Sequence, residues 1–141
     1  MHNHYVVMFF IMILSGLLST MNVWVDKWDD IRWSINDVYM TLLMTGWMFL
    51  FMGAYDKEIV IFICGFILVA FNLWCIRTQF MVSTEQYVLG MIPHHSMAVL
   101  MSKKLVQQPT PIKEFVKNII ITQQKEIEYM KKLNTNKNET F

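Results

Sequence analysis

The sequence predicts an all-α protein in which three transmembrane helices are followed by a two-helix amphipathic hairpin, half of a four-helix arrangement. Three observations carry this. The chain has 141 residues, 55% of them apolar and 16% charged, well below the charge of a soluble domain. Its first 76 residues hold three charge-poor runs long enough to cross a bilayer. Beyond them the pattern changes to a helical period with recognisable start and stop residues. The net charge of +1 gives no reason to expect a nucleic-acid partner.

The first run, Tyr5 to Val25, carries no charge over 21 residues, enough to span about 30 Å of hydrocarbon. A signal peptide wants a basic start and a shorter apolar core. Met1-His2-Asn3-His4 has neither Lys nor Arg and the run ends beside Trp24, so it reads as a retained span. Asp26 to Ser34 is a polar link, with Trp24, Trp28 and Trp33 placed as an interfacial belt. Ile35 to Tyr55 is the second span, charged only at Asp37. Asp56-Lys57-Glu58 turns the chain into the third span, Ile59 to Ile76, closed by Arg77. Helices satisfy their own backbone in lipid, which makes residues 1–78 a multi-pass region in the lipid bilayer.

Within the second span Met40, Met44, Met48 and Met52 recur every fourth residue. Such a ladder either passes Cu(I) between thioethers or packs flexibly against neighbours. Cys64 and Cys75 would lie about 16 Å apart along one helix, too far for a disulfide.

Residues 79–133 form the expected hairpin and 134–141 a frayed polar tail, which includes the sequon Asn138-Glu139-Thr140. Ser83 with Gln86 three residues on reads as a capping box. The first helix therefore runs from about Thr84 to Leu105, bending at Pro93, and no strong breaker separates it from the third span. Thr110 caps the second helix and Pro111 opens it. Ile112, Phe115, Val116, Ile119, Ile120, Ile127, Met130 and Leu133 give it an apolar stripe, interrupted by Gln123 and Glu126. A hairpin of about 50 residues buries little core alone. It should therefore pair with other copies as a homo-oligomer, a dimer or higher, or lie on the membrane segment.

The candidate chemistry lies in Met91-Ile92-Pro93-His94-His95-Ser96-Met97-Ala98-Val99-Leu100-Met101. Thioether sulfur and neutral imidazole are ligands for soft or borderline metals. At about 100° per residue, His94, Met97, Ala98 and Met101 share one face flanked by Met91 and Tyr87, while His95 projects about 100° away. The expectation is that His94, Met97 and Met101 converge on a pocket facing the second helix, joined by Met130. Methionine at helical spacing also serves as core filler, and both readings stand at this point.

Met91-Ile92-Pro93-His94-His95 with Met97-Ala98, and later Gln123-x-x-Glu126-Ile127-x-x-Met130, resemble the two signatures of the DUF305 family. The resemblance covers about residues 80–133 and extends to a membrane-anchored subgroup with three leading spans. It implies a ferritin-like bundle associated with copper. His94 and His95 would be the histidine pair, Met91, Met97 and Met101 the accompanying methionines, and Gln123, Glu126 and Met130 the second helix's motif. Thr84 and Leu89 stand where the family usually has acidic residues, which removes hard oxygen ligands and leaves the soft site.

The expected function is a membrane-anchored metal-binding protein, for copper as Cu(I) with zinc as the second candidate, in storage or resistance. The metal set is His94, His95, Met91, Met97, Met101 and Met130, with Gln123 and Glu126 behind it. The alternative is a structural or assembly membrane protein without metal. Catalysis is not expected, since Glu-x-x-His pairs and a nucleophile beside a base are both lacking. Lys27, Arg32 and Arg77 against Lys57 favour a cytoplasmic C-terminus. The resemblance implies an extracytoplasmic hairpin, which is the orientation adopted.

Overall fold

A computed structural model describes residues 2–138. Five α-helices follow one another with no strand among the described residues: α1 (His2–Leu18), α2 (Ile35–Tyr55), α3 (Ile59–Thr78), α4 (Thr84–Val106) and α5 (Lys113–Asn138). Two 3-10 turns, Met21–Trp24 and Trp28–Asp30, lie between α1 and α2. The chain forms two compact units. One comprises residues 1–20 and 35–82, the other 21–34 and 83–141.

The first unit contains α1, α2 and α3. The segments His4–Trp24, Ile35–Tyr55 and Ile59–Thr78 are each long and apolar enough to cross a membrane. The α-helix of the first segment stops at Leu18, earlier than its apolar run. The cause is Asn22, which is buried and binds Arg32 twice, accepting from its backbone N–H at 2.9 Å and donating to its carbonyl at 2.7 Å. That clamp folds residues 22–32 into a closed loop and takes the chain out of the helix.

Helices α2 and α3 pack closely because glycines meet across them. A Cβ at Gly53 would come within 2.3 Å of the Phe62 backbone nitrogen, and one at Gly65 within 2.3 Å of that of Leu50. Such small residues let backbones approach where lipid supplies no hydrophobic drive. Helix α1 joins α2 through Gly16 against Thr41, and through Phe9 and Phe49 with ring centroids 6.0 Å apart. At the far end Tyr5 donates to the Asp56 carboxylate at 2.8 Å.

Met40 and Met44 are exposed, with Met48 and Met52 half-buried. The ladder therefore runs along the outside of the helix trio at its first two positions. Asn72 is fully buried in α3 and donates to the Leu68 carbonyl at 2.8 Å.

The continuation of the third span into the hairpin is interrupted. Gln79 and Met81 take left-handed backbone (φ 51° and 54°), and the Phe80 N–H donates to the Cys75 carbonyl at 3.0 Å. Tyr39 donates to the Phe80 carbonyl at 2.7 Å and fixes the break. Ser83 then caps α4 as its sequence implies, accepting from the Gln86 N–H at 3.3 Å. Pro93 is buried, and α4 runs through it without a break. Helix α5 starts at Lys113, slightly later than Pro111 suggests, and extends to Asn138 rather than ending at Leu133. The remainder of the sequon lies outside the described residues.

In the second unit α4 and α5 pack around Ile92, Val99, Ile127 and Met130, with Val88, Met91 and Ile120 against them. Residues 26–34, read as a polar link between spans, and residues 21–25, read as the end of the first span, form part of the same unit as the hairpin.

Candidate functional site

The buried face of α4 is set by Ile92, Ser96, Val99 and Ser102, which recur at three- and four-residue steps. Branched apolar side chains held in few rotamers pack a narrow helix interface well, and two of them fix which way α4 turns. His94 lies two residues, about 200°, from Ile92, so it is exposed, and Met101 is 55% exposed. Met97 is half-buried. This corrects the expected convergence. His94, Met97 and Met101 do not meet in a pocket facing α5; His94 and Met101 point away from the hairpin core.

His95 turns inward instead. Its side chain is 15% exposed and its Nδ1 lies 3.7 Å from the Glu126 Oε2, too long for a hydrogen bond. That Nδ1 is buried without a hydrogen-bond partner, as is Oε1 of Gln123, one turn before Glu126 on α5. Burial lowers the His95 pKa below its usual 6.5, with Glu126 pulling it up and His94 down. The ring is thus neutral at pH 7, with a nitrogen lone pair available. Met91 and Met130 lie in or against the core cluster one helical turn away, which brings two thioethers into the same half of the hairpin. No group of three or more His, Cys, Asp or Glu able to hold a metal occurs among the described residues. A metal held at His95 and Glu126 would need Met or Gln as its further ligands.

A second cluster was not foreseen from the sequence. Asp30 is 2% exposed. Its Oδ2 accepts the Ser96 hydroxyl at 2.5 Å, and its Oδ1 lies 2.6 Å from the Lys131 ammonium. Ser96 Oγ accepts the Asp26 N–H at 2.8 Å. Lys131 also reaches Asp29 at 2.5 Å, and Lys103 reaches the Asp26 carboxylate at 2.6 Å. Burial pulls the Lys131 pKa down, but its hydrogen bonds to Asp29 and Asp30 carry it above its usual value. The Lys131 hydrogen bond, then its charge, lowers that of Asp29. A cavity of about 260 Å³ opens beside the cluster, lined by Asp30, Val99, Gln124, Ile127 and Lys131 among others. The sequence signals for this latch were the acidic residues Asp26, Asp29 and Asp30 of the link and Ser96 between His95 and Met97.

Residues 78–134, which contain α4 and α5 as far as Asn134, match the family described as "Domain of unknown function (DUF305)". The chain is also 42% identical over 127 residues to uncharacterized protein L153 of Acanthamoeba polyphaga mimivirus, covering 83% of this chain and 82% of that protein. The chain belongs to the family of that viral protein and carries a DUF305 domain. The likeness to the viral protein extends well beyond the DUF305 segment. The DUF305 match contains His94, His95, Gln123 and Glu126 but omits Asp29 and Asp30, which the structure joins to it. No solved structure matches the chain.

Proposed function

We propose that this is a membrane-tethered metal-binding protein in which the DUF305 hairpin holds copper as Cu(I), with zinc as the second candidate, and His95 is the central ligand. The observation that carries the reading is the buried, unpartnered Nδ1 of His95 in a ring kept neutral by burial, with Glu126 beside it. An imidazole in that state competes for a metal without first losing a proton. Met91 and Met130, in or against the core cluster, are the sulfur donors assigned to this site, and Gln123 offers a buried oxygen. Three helices that meet the length and hydropathy of membrane spans supply the tether.

The test is a Cu(I) titration of the detergent-solubilised full chain against a chromogenic chelator. Binding by the native chain is expected, with His95→Ala weakening it about tenfold or more and His94→Ala weakening it less. A native chain that leaves all Cu(I) with the chelator ends the copper reading, and the same titration with zinc decides the second candidate. The alternative, an assembly hairpin without metal, has the exposed apolar residues of α4 and α5 in its favour and is what a failed titration would leave. In this reading the hairpin is extracytoplasmic. A single cysteine at position 134 should then react with a membrane-impermeant reagent on intact cells, and failure to label reverses the orientation.

A further inference from the structure

The outer surface of the hairpin keeps a seven-residue repeat that its own core does not use. On α4, Tyr87, His94 and Met101 are exposed at steps of seven, followed by Leu105. On α5, Phe115, Thr122 and Tyr129 are exposed at steps of seven, followed by Leu133. A heptad spacing is what a helix shows toward partners lying nearly parallel to it. The contact of His95 with Glu126 marks the edge where these two stripes meet, so together they make one face. Among the charged residues described in α4 and α5, Glu126 alone falls within it. The lysines of both helices step off onto other sides.

We infer that this face is covered by a second copy of the chain, α4 of each lying over α5 of the other, with His94 of one copy against Glu126 of the second. The antiparallel register set by His95 and Glu126 places residues of α4 and α5 whose numbers sum to about 221 at one height. A two-fold axis parallel to the helices therefore puts Leu105 of one copy beside Phe115 of the other, Tyr87 beside Leu133, and His94 beside Glu126. The other two-fold arrangement, α5 on α5, would set two Glu126 carboxylates opposite one another in a closing interface, where like charges oppose binding. A bilayer surface is also disfavoured, because Glu126 and His94 sit at mid-length of the stripe, where entering the apolar boundary would cost both their hydration. The face measures roughly 35 Å by 20 Å, about 700 Å², close to the roughly 800 Å² per partner of a standard interface. The inference does not depend on a metal. It completes the four helices that one hairpin supplies only by half.

The experiment uses the full chain in detergent and in nanodiscs. Light scattering on the unmodified protein should give the mass of two chains. In a background of Cys64→Ser and Cys75→Ala, His94→Cys and Glu126→Cys are prepared separately and mixed, then treated with a short bis-methanethiosulfonate linker. A cross-linked dimer in the mixture but in neither variant alone supports the arrangement. Efficient cross-linking of His94→Cys alone means α4 lies on α4 and overturns it. A monomeric mass also overturns it, and a spin label at position 115 immersed in lipid would then assign the face to the bilayer. In the unsubstituted cysteine background Glu126→Ala should raise the dimer dissociation constant about 30-fold or more.

Discussion

Replacing Lys131 by Met tests how the 21–34 segment is held to the hairpin. Lys131 Nζ lies 2.6 Å from Asp30 Oδ1 and 2.5 Å from Asp29 Oδ2. The two carboxylates differ in what they lose. The Asp29 side chain is 80% exposed and rehydrates freely, whereas that of Asp30 is 3% exposed and keeps only the Ser96 hydroxyl. Breaking a buried ion pair costs about 3–5 kcal/mol, and the partial exposure of Lys131 lowers this to about 2–3 kcal/mol. The amide of Asp26 donates to Ser96 Oγ, so it reports opening of this latch. Its hydrogen exchange should accelerate about 30- to 150-fold, the factor that 2–3 kcal/mol implies for local opening. Adding Asp30→Asn should recover part of the loss, because an amide tolerates burial without a cation, leaving a coupling of at least about 1 kcal/mol. Unchanged exchange at Asp26 in Lys131→Met, or strictly additive effects in the double variant, would refute the reasoning.

Two further outcomes are expected. Gly53→Ala should separate α2 from α3, since its Cβ would meet Phe62 backbone rather than a side chain that can swing away; a loss of about 1–3 kcal/mol in detergent unfolding is anticipated, and an unchanged midpoint would show that the helices are not in close contact. Acid should weaken the fold through His95. Its folded pKa lies below the unfolded 6.5, so between the two the unfolded chain binds more protons and stability falls as pH drops, while above 6.5 the group contributes nothing. Unfolding midpoints from pH 7.5 to 5 should show the slope and His95→Gln should flatten it; an equal slope in the variant would exclude His95 as its source.

The three long apolar helices were legible because they rest on composition over about 20 residues, and the second helix matches its expected bounds at Ile35 and Tyr55. The cap at Ser83 was equally readable, since it is local chemistry between residues three apart. The orientation of α4 was not. Sequence periodicity gives two candidate faces for the 91–101 stretch, one through His94 and Met101, the other through Ile92, His95 and Val99. What chooses between them is the fit of Ile92 and Val99 against Ile127 and Met130, a contact between distant residues. The latch was hidden for the same reason, because Asp30 and Lys131 are 101 positions apart in the sequence. The exit from α1 was hidden by Asn22, one polar residue in an apolar run whose two hydrogen bonds reach forward to Arg32.

That the second unit is sewn from two separated pieces of chain bears on how the molecule is born. Residues 21–34 leave the ribosome long before Lys131 exists. At translation rates of roughly 5–20 residues per second, Asp30 waits on the order of 5–20 s for its cation. Throughout that interval a carboxylate destined for a dry interior stays in water. A fragment starting at residue 79 would never receive that early piece, leaving Ser96 and Lys131 facing solvent. Anyone expressing the DUF305 segment by itself should expect a partly finished object.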